Sequence, residues 1–81
     1  MLDGLTRAER RILVVLLTGA KNLSGRRIKD LAQVHHYQTT MFLSRLERLK
    51  LVTTTWDVAE YWSLTDFGRI RVAEALQLEH K

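Results

Sequence analysis

A single β-hairpin in an otherwise helical chain constrains this fold most. Residues 52–56 and 61–64 are rich in β-branched and aromatic side chains, and residues 57–60 separate them. This pattern predicts a hairpin with a four-residue loop, built around a type I turn because the loop contains no glycine. Since an isolated hairpin is only marginally stable in water, one of its faces must pack against helices.

The length of this loop predicts which aromatic side chains lie together. Trp56 is expected opposite Tyr61, with Val52 on the same face. We interpret Trp56 and Tyr61 as a cross-strand pair that stabilises the hairpin by about 0.5–1 kcal/mol. The alternative is an exposed aromatic surface that stacks on a nucleic acid or a protein. Trp62 and Leu64, on the other face, are expected to pack against the helices.

Three helices are predicted before the hairpin, over residues 7–19, 25–33 and 36–49. Thr6 and Glu9 form a capping box at the start of the first, and Ser24 caps the second. Apolar residues at spacings of three and four give each helix one inward face. The inward positions are Ala8, Ile12, Leu13, Leu16 and Leu17, then Ile28, Leu31 and Ala32, then Thr39, Phe42, Leu43, Leu46 and Leu49.

A fourth helix is predicted over 66–79, with Thr65 as its cap. Its stronger apolar stripe consists of Phe67, Ile70, Ala73 and Leu76, and its weaker stripe of Val72, Ala75 and Leu78. A helix that is apolar on more than one side needs two partners, its own core and another surface. The fold class is mainly α with a small β-hairpin (α+β), in the order α-α-α-β-β-α, with a possible short strand at 22–23 beside the hairpin.

The chain has 81 residues and no cysteine, which excludes a disulfide framework and a thiolate metal site. We expect one domain over 1–81 that buries about 60–65% of the surface of its unfolded chain, so dimerisation would add stability. The longest apolar run, 12–17, is six residues. A membrane span needs about 20, and no signal peptide precedes this run. We therefore expect a cytoplasmic protein with no membrane contact.

The net charge of +4 is unevenly distributed along the chain. Seven basic and two acidic residues lie within 21–50, giving +5, whereas three basic and five acidic residues lie within 51–81, giving −2. A positive middle third indicates a polyanionic partner that binds there. Solvated helix faces are the alternative interpretation.

Two helices, a third helix with a polar and basic outer face, and a hairpin form the order of a winged helix-turn-helix, whose third helix fits the DNA major groove. The sequence resembles winged-helix transcriptional regulators of the PadR type, with MarR-type regulators as near neighbours. The resemblance covers about residues 10–78 and lies in RILVVLL of the first helix, LSRLERLKLV at 43–52 and YWSLTDFGRIRVAEAL at 61–76. It implies a transcriptional regulator, a repressor that acts as a homodimer on a two-fold operator.

The sequence departs from the family pattern at two places. Lys50 stands where these regulators usually have glycine at the end of the third helix, so a non-glycine cap or a 3₁₀-like last turn is expected there. The hairpin tip carries Asp57 and Glu60 where such regulators often have arginine or lysine. Because phosphate repels carboxylates, we expect this hairpin to brace the fold and not to clamp DNA.

The winged-helix interpretation assigns DNA contacts to two groups of side chains. Those expected to reach base edges in the groove are His36, Tyr37, Gln38, Thr40, Met41, Ser44 and Arg45. Those expected to bind phosphate are Ser24, Arg26, Arg27, Lys29 and Arg48, since basic side chains at a helix N-terminus favour anions. The first and last helices are expected to form the dimer contact, through Leu5, Ile70, Ala73, Leu76 and Leu78.

Other functions have little support in the residues. We expect no metal site among His35, His36 and His80, because the adjacent pair His35 and His36 diverges by about 100° on a helix and no carboxylate or cysteine lies three or four residues after either. No phosphate-binding glycine loop or nucleophile–base arrangement occurs. We therefore expect no enzymatic activity, cofactor or small-molecule ligand. The alternatives are a winged-helix adaptor that binds proteins through its aromatic hairpin, and an architectural or excision-type factor that bends DNA.

Overall fold

A computed structural model describes residues 4–19 and 22–79, excluding the side chains of Leu78 and Glu79. Four helices and three strands follow one another in the order α1 (Arg7–Thr18), β1 (Leu23–Ser24), α2 (Gly25–Ala32), α3 (His36–Arg48), β2 (Val52–Trp56), β3 (Glu60–Leu64) and α4 (Asp66–Glu79). The predicted α+β fold class is confirmed. Each helix begins at its predicted residue, and α1, α2 and α3 end one residue before the predicted end. None of these helices has the length and apolarity needed to cross a membrane.

Short-range caps explain why the helices begin where they do. The Thr6 hydroxyl accepts a hydrogen bond from the Glu9 N–H at 3.2 Å, and the Thr6 N–H donates to Glu9 Oε1 at 2.9 Å, which completes the predicted capping box. Ser24 Oγ accepts from the Arg27 N–H at 3.2 Å. Thr65 Oγ1 accepts from the Gly68 N–H at 2.8 Å. All three predicted caps are thus confirmed.

The three strands form an antiparallel sheet in the order β1-β3-β2. The short strand β1 pairs with β3, so that Leu23 lies opposite Trp62. It begins one residue later than the strand expected at 22–23. Trp62 and Leu64 are buried, with 8% and 6% of their surface exposed, as predicted. Val52 lies opposite Leu64 and is buried on the same face.

The predicted pairing of Trp56 with Tyr61 is wrong. Glu60 belongs to β3 and lies opposite Trp56, whereas Tyr61 lies opposite Thr55. The loop is therefore one residue shorter than expected, and the Asp57 N–H donates to the Ala59 carbonyl at 3.1 Å across it. Because side chains alternate between the two faces of a strand, this one-residue change places Trp56 and Tyr61 on opposite faces. For the same reason Val52, which was predicted on the face opposite to Trp62 and Leu64, lies on the same face as both.

The core lies between the sheet and the inward faces of the helices. Its completely buried members include Ile12, Leu13, Ile28, Leu46 and Val72. Partly buried apolar residues pack around this cluster, namely Leu5, Ala8, Val15, Leu17 and Leu76.

Two residues predicted to be inward are half exposed, Leu31 at 47% and Leu49 at 46%. Leu31 lies at the edge of its stripe, because Ile28 and Ala32 already occupy the inward side of the short helix α2. Leu49 follows the last residue of α3, where the chain reverses through Lys50, and Leu51 enters the core in its place.

Helix α4 faces the core with its weaker apolar stripe. Val72 and Ala75 are buried, whereas Phe67 and Ile70 are 49% and 61% exposed. Gly68 allows the start of α4 to lie close against the Leu51 backbone. The larger side chains are thereby left on the outer surface.

Candidate nucleic-acid interface

A tight turn without glycine sets the angle between α2 and α3. Gln33 adopts a left-handed conformation with φ of 57°, and the Val34 N–H donates to the Lys29 carbonyl at 3.2 Å. Val34 is buried and holds the turn against the core. His35 begins α3 without a side-chain cap, and its carbonyl accepts from Thr39 Oγ1 at 3.0 Å.

The outer face of α3 carries every side chain predicted to reach base edges. Thr39, Phe42, Leu43 and Leu46 hold the opposite face in the core. The exposed set is His36, Tyr37, Gln38, Thr40, Met41, Ser44 and Arg45. Tyr37 and Met41 are large side chains that are mostly exposed, at 79% and 59%. The Tyr37 ring also stacks on the His35 ring, with centroids 5.8 Å apart.

Two of the predicted groups meet at a cleft of about 480 Å³ between α2, α3 and β3. Its lining includes Arg26 and Lys29 from α2, His36 and Thr40 from α3, and Trp62 and Glu60 from β3. Ser24 caps α2, and the basic residues Arg26 and Arg27 follow it in the first turn of the helix. Lys29 also lies 3.7 Å from the Asp30 carboxylate. Arg26 and Lys29, which are predicted to bind phosphate, thus share one surface with the first turns of α3.

Arg48 does not belong to this cleft. It lies in the last turn of α3, three turns from His36, and is exposed. Arg27 is exposed in the first turn of α2. A phosphate contact by Arg48 stays a prediction, as do those by Ser24, Arg26, Arg27 and Lys29.

Arg45 is held by residues of the α1 start. Its Nη1 lies 3.3 Å from Glu9 Oε1, and its Nη2 donates to the Gly4 carbonyl at 3.0 Å. The Glu9 side chain is completely buried, whereas 48% of the Arg45 side chain is exposed. Removing one partner of a buried ion pair costs about 3–5 kcal/mol, and exposure of the partner lowers that figure. By comparison, a bidentate contact of an arginine with guanine is worth about 1–3 kcal/mol of discrimination against the wrong base. The contact with Glu9 therefore competes with any contact that Arg45 could make to a base.

The contact was not predicted, because Glu9 was assigned only to the capping box of the first helix and not to its inward face. The spacing of Glu9 from the apolar residues of α1 does indicate that it faces inward. Glu9 precedes Ile12, Leu13 and Leu16 by three, four and seven residues, so it lies on the apolar stripe of α1. An acid in that position has to be buried and needs a cationic or hydrogen-bonding partner.

The hairpin tip is apolar and acidic. Trp56 is 73% exposed and Val58 is 94% exposed. Asp57 lies between them, and residues 52–64 contain no lysine or arginine. The hairpin therefore offers no cation to a phosphate backbone.

The outer face of α4 combines apolar and charged side chains. Phe67, Ile70 and Ala73 are exposed, and the Arg71 guanidinium lies 5.1 Å from the centre of the Phe67 ring. Of the other predicted dimer residues, Leu5 and Leu76 already pack partly against the core. The side chain of Leu78 lies outside the described residues.

Within residues 4–19 and 22–79, no three histidine or carboxylate side chains group closely enough to hold a metal ion. His80 lies outside the described residues.

Solved structures of MarR-family regulators share this architecture. A MarR family transcriptional regulator from Silicibacter pomeroyi DSS-3 superimposes with a TM-score of 0.84 at 23% identity, over 95% of this chain and 56% of its own. Bordetella bronchiseptica BpsR, whose DNA binding is regulated by 6-hydroxynicotinic acid, gives a TM-score of 0.86 at 20% identity, over 98% of this chain and 58% of its own.

A third structure has a similar length. A candidate DNA-binding protein from Ralstonia eutropha JMP134 gives a TM-score of 0.76 at 24% identity, over 89% of this chain and 98% of its own. No protein-family model and no curated protein matches the sequence.

These similarities concern the fold. The chain spans a little over half the length of the Silicibacter and Bordetella regulators. They support the MarR-type part of the sequence resemblance and give no support to the PadR type in particular. The chain therefore has a winged-helix fold of the kind found in MarR-family transcriptional regulators.

Proposed function

We propose that the protein binds double-stranded DNA, with α3 as the recognition helix in the major groove. The observation that carries this proposal is the shared surface of the α2 N-terminus and the first turns of α3 at one cleft. In a helix-turn-helix, the same arrangement sets the first of the two helices against the backbone and the second against base edges. The regulation of DNA binding in BpsR, which has the same fold, adds support.

Phosphate is the proposed ligand of the α2 N-terminus. Arg26 and Arg27 lie in the first turn of α2 after the Ser24 cap, and the helix dipole favours an anion at this end. Lys29 lines the cleft on the next turn, and Arg48 lies further along α3. Four cations per protomer would provide most of the binding free energy, because each neutralised phosphate releases counterions.

Exposed side chains on the outer face of α3 are the proposed base readers. Gln38 can form a bidentate pair with adenine, and Thr40 or Met41 can contact a thymine methyl group. Tyr37 is also exposed, over 79% of its surface. His36 and Ser44 complete the set.

The protein is proposed to act as a homodimer and as a transcriptional repressor. The exposed stripe of Phe67, Ile70 and Ala73 on α4 is the proposed dimer contact. A two-fold dimer would present its recognition helices to half-sites about 34–36 Å apart. Sedimentation equilibrium tests the contact. Ile70→Glu should give a monomer, the exposed control Arg69→Glu should stay dimeric, and a monomeric wild-type protein would contradict the dimer.

A salt titration tests DNA binding itself. Fluorescence anisotropy with a labelled 30-base-pair duplex should show the affinity falling about 10³–10⁵-fold between 50 and 200 mM KCl, if two protomers contribute about eight phosphate contacts. Binding that does not change with salt, or no binding at 50 mM KCl, would contradict the proposal.

A protein-binding adaptor is the second candidate, favoured by the exposed Trp56 and Val58 at the hairpin tip. The two functions separate under substitution. As a DNA-binding protein, the chain should tolerate Trp56→Ala and lose affinity on Arg26→Ala. An adaptor would bind no duplex, and Trp56→Ala would abolish partner binding while Arg26→Ala would not.

A further inference from the structure

We propose that Arg45 is a positioning residue, which Glu9 holds so that it sets the rotation of α3 about its axis. On this proposal Arg45 does not read a base, although it lies on the exposed side of the recognition helix. The inference rests on the proposed DNA-binding function, because it concerns which residues of α3 face the groove.

The hydrogen bonds of Glu9 show how closely it is held. Its Oε1 accepts from the Thr6 N–H at 2.9 Å, from the Thr6 hydroxyl at 3.1 Å and from Arg45 Nη1 at 3.3 Å. One carboxylate oxygen therefore joins the cap of α1 to α3. The second guanidinium nitrogen of Arg45 donates to the Gly4 carbonyl at 3.0 Å, just before the same cap.

Burial makes Arg45 costly to move. Glu9 is 0% exposed, and its other oxygen, Oε2, is buried without a hydrogen-bond partner. A buried carboxylate with one unsatisfied oxygen depends strongly on the cation that lies against the other. If Arg45 turned toward a base, it would leave Glu9 without that cation.

The position of Arg45 on α3 explains why the link would set the helix rotation. Apolar packing holds α3 through Phe42, Leu43 and Leu46. Apolar contacts are non-directional, so they allow small rotations of a helix. A guanidinium fork bound to a carboxylate and a carbonyl has a fixed planar geometry. Arg45, adjacent in sequence to Leu46, adds this directional constraint from the α1 side.

The positioning role and a reading role predict opposite effects for Glu9→Gln, which alters a buried side chain. If Arg45 positions α3, Glu9→Gln and Arg45→Met should each weaken binding to the preferred duplex about tenfold or more, the order expected for a charged hydrogen bond. The weakening should extend over the whole site, and the double variant should bind no more weakly than the weaker single variant.

If Arg45 reads a base, the pattern changes. Arg45→Met would then relax the preference at one base pair only, and Glu9→Gln would leave DNA binding unchanged or strengthen it by releasing Arg45. That result would overturn the proposal. Arg48→Met is the matched control, since it removes a cation from the same helix, and it should lower affinity without altering the preferred sequence.

The experiment combines duplex selection for each variant with urea unfolding of the same proteins without DNA. Unfolding should show coupling between Glu9→Gln and Arg45→Met, so that the double variant is less destabilised than the sum of the single variants. Additive unfolding effects would overturn the link itself. Coupled unfolding in a protein that selects no duplex would preserve the link and contradict only the proposed DNA binding and the positioning that depends on it.

Discussion

Thr65 joins the end of α3 to the start of α4 through Lys50. The Thr65 hydroxyl donates to the Lys50 carbonyl at 2.6 Å and accepts from the Gly68 N–H at 2.8 Å. The Thr65 N–H also donates to the Leu51 carbonyl at 3.1 Å. The Leu-Thr-Asp-Phe-Gly segment at 64–68 thus caps a helix and fastens the preceding one, which gives its residue spacing a physical reason.

Thr65→Val tests this connection. Valine has nearly the shape of threonine but neither donates nor accepts, so α4 loses its cap and Lys50 loses its hydrogen bond. We expect a loss of about 1–2 kcal/mol in the free energy of unfolding, measured by urea denaturation. The matched control is Thr18→Val, since the Thr18 hydroxyl makes only an exposed bond to the Val14 carbonyl at 2.9 Å. It should change stability by less than about 0.5 kcal/mol, and equal losses in the two variants would contradict the connection.

Gly68 allows α4 to approach the chain after α3. A Cβ atom there would overlap the Leu51 carbonyl oxygen and lie 2.8 Å from its carbon, and a backbone group cannot move aside as a flexible side chain can. Gly68→Ala should therefore destabilise the protein by about 2–3 kcal/mol, measured by thermal unfolding. The control Gly25→Ala meets its nearest neighbour, Trp62 Nε1, only at 4.0 Å. It should leave stability unchanged or raise it by up to about 1 kcal/mol, and a harmless Gly68→Ala would contradict the close approach.

Lys50 adopts a left-handed conformation with φ of 64° at the end of α3. Its N–H donates to the Glu47 carbonyl at 2.9 Å, and the Leu51 N–H donates to the Leu46 carbonyl at 3.0 Å, the bonding pattern of a Schellman motif. A side chain costs about 1–2 kcal/mol in this conformation, against about 0.5–1 kcal/mol for the flexibility of glycine. Lys50→Gly should therefore raise the free energy of unfolding by up to about 1 kcal/mol.

Two further variants control for the effect of glycine at Lys50. Gln33→Gly should also stabilise the protein, because Gln33 has φ of 57°. Arg48→Gly, within the helix, should lower stability by about 1 kcal/mol. If Lys50→Gly and Arg48→Gly lower stability equally, the left-handed strain at Lys50 is absent.

Arg26→Ala tests the phosphate contact at the α2 N-terminus. In a plot of log K, the binding constant, against log[KCl], the slope should become less steep by about 0.9 for each phosphate contact that is lost. If both protomers of a dimer bind, each of them contributes one such loss. Sequence preference should be retained, because phosphate contacts do not read bases. Arg69→Ala removes an exposed cation of α4 that does not line the cleft, and it should leave the slope unchanged. A slope that Arg26→Ala does not alter would place the phosphate elsewhere.

How far the sequence predicts this structure depends on the range of the interactions. Thr6, Ser24 and Thr65 could be recognised as caps because each bonds to a backbone group three residues away. The exposed face of α3 follows from helical periodicity in the same way. The pairing of Trp56 failed because it depends on where the loop closes, which one residue changes.

Contacts between residues that are far apart in the sequence could not be predicted from its local pattern. Periodicity shows that α4 has two apolar stripes, but the close approach at Gly68 decides which of them faces the core. Glu9 and Arg45 are separated by 36 residues, and only the packing of α1 against α3 brings them together. Consequently the exposed face of α3 could be predicted from the sequence, whereas the contact of Arg45 with Glu9 could not.

Selection of bound duplexes from a random pool tests the central proposal most directly. We expect enrichment of a palindrome whose half-sites are separated by about 10–10.5 base pairs from centre to centre, because a two-fold dimer presents two copies of α3. Variants of Gln38 or Met41 should alter the preferred bases in both half-sites. Failure of the wild-type protein to enrich any sequence would contradict the proposal that it is a sequence-specific DNA-binding regulator.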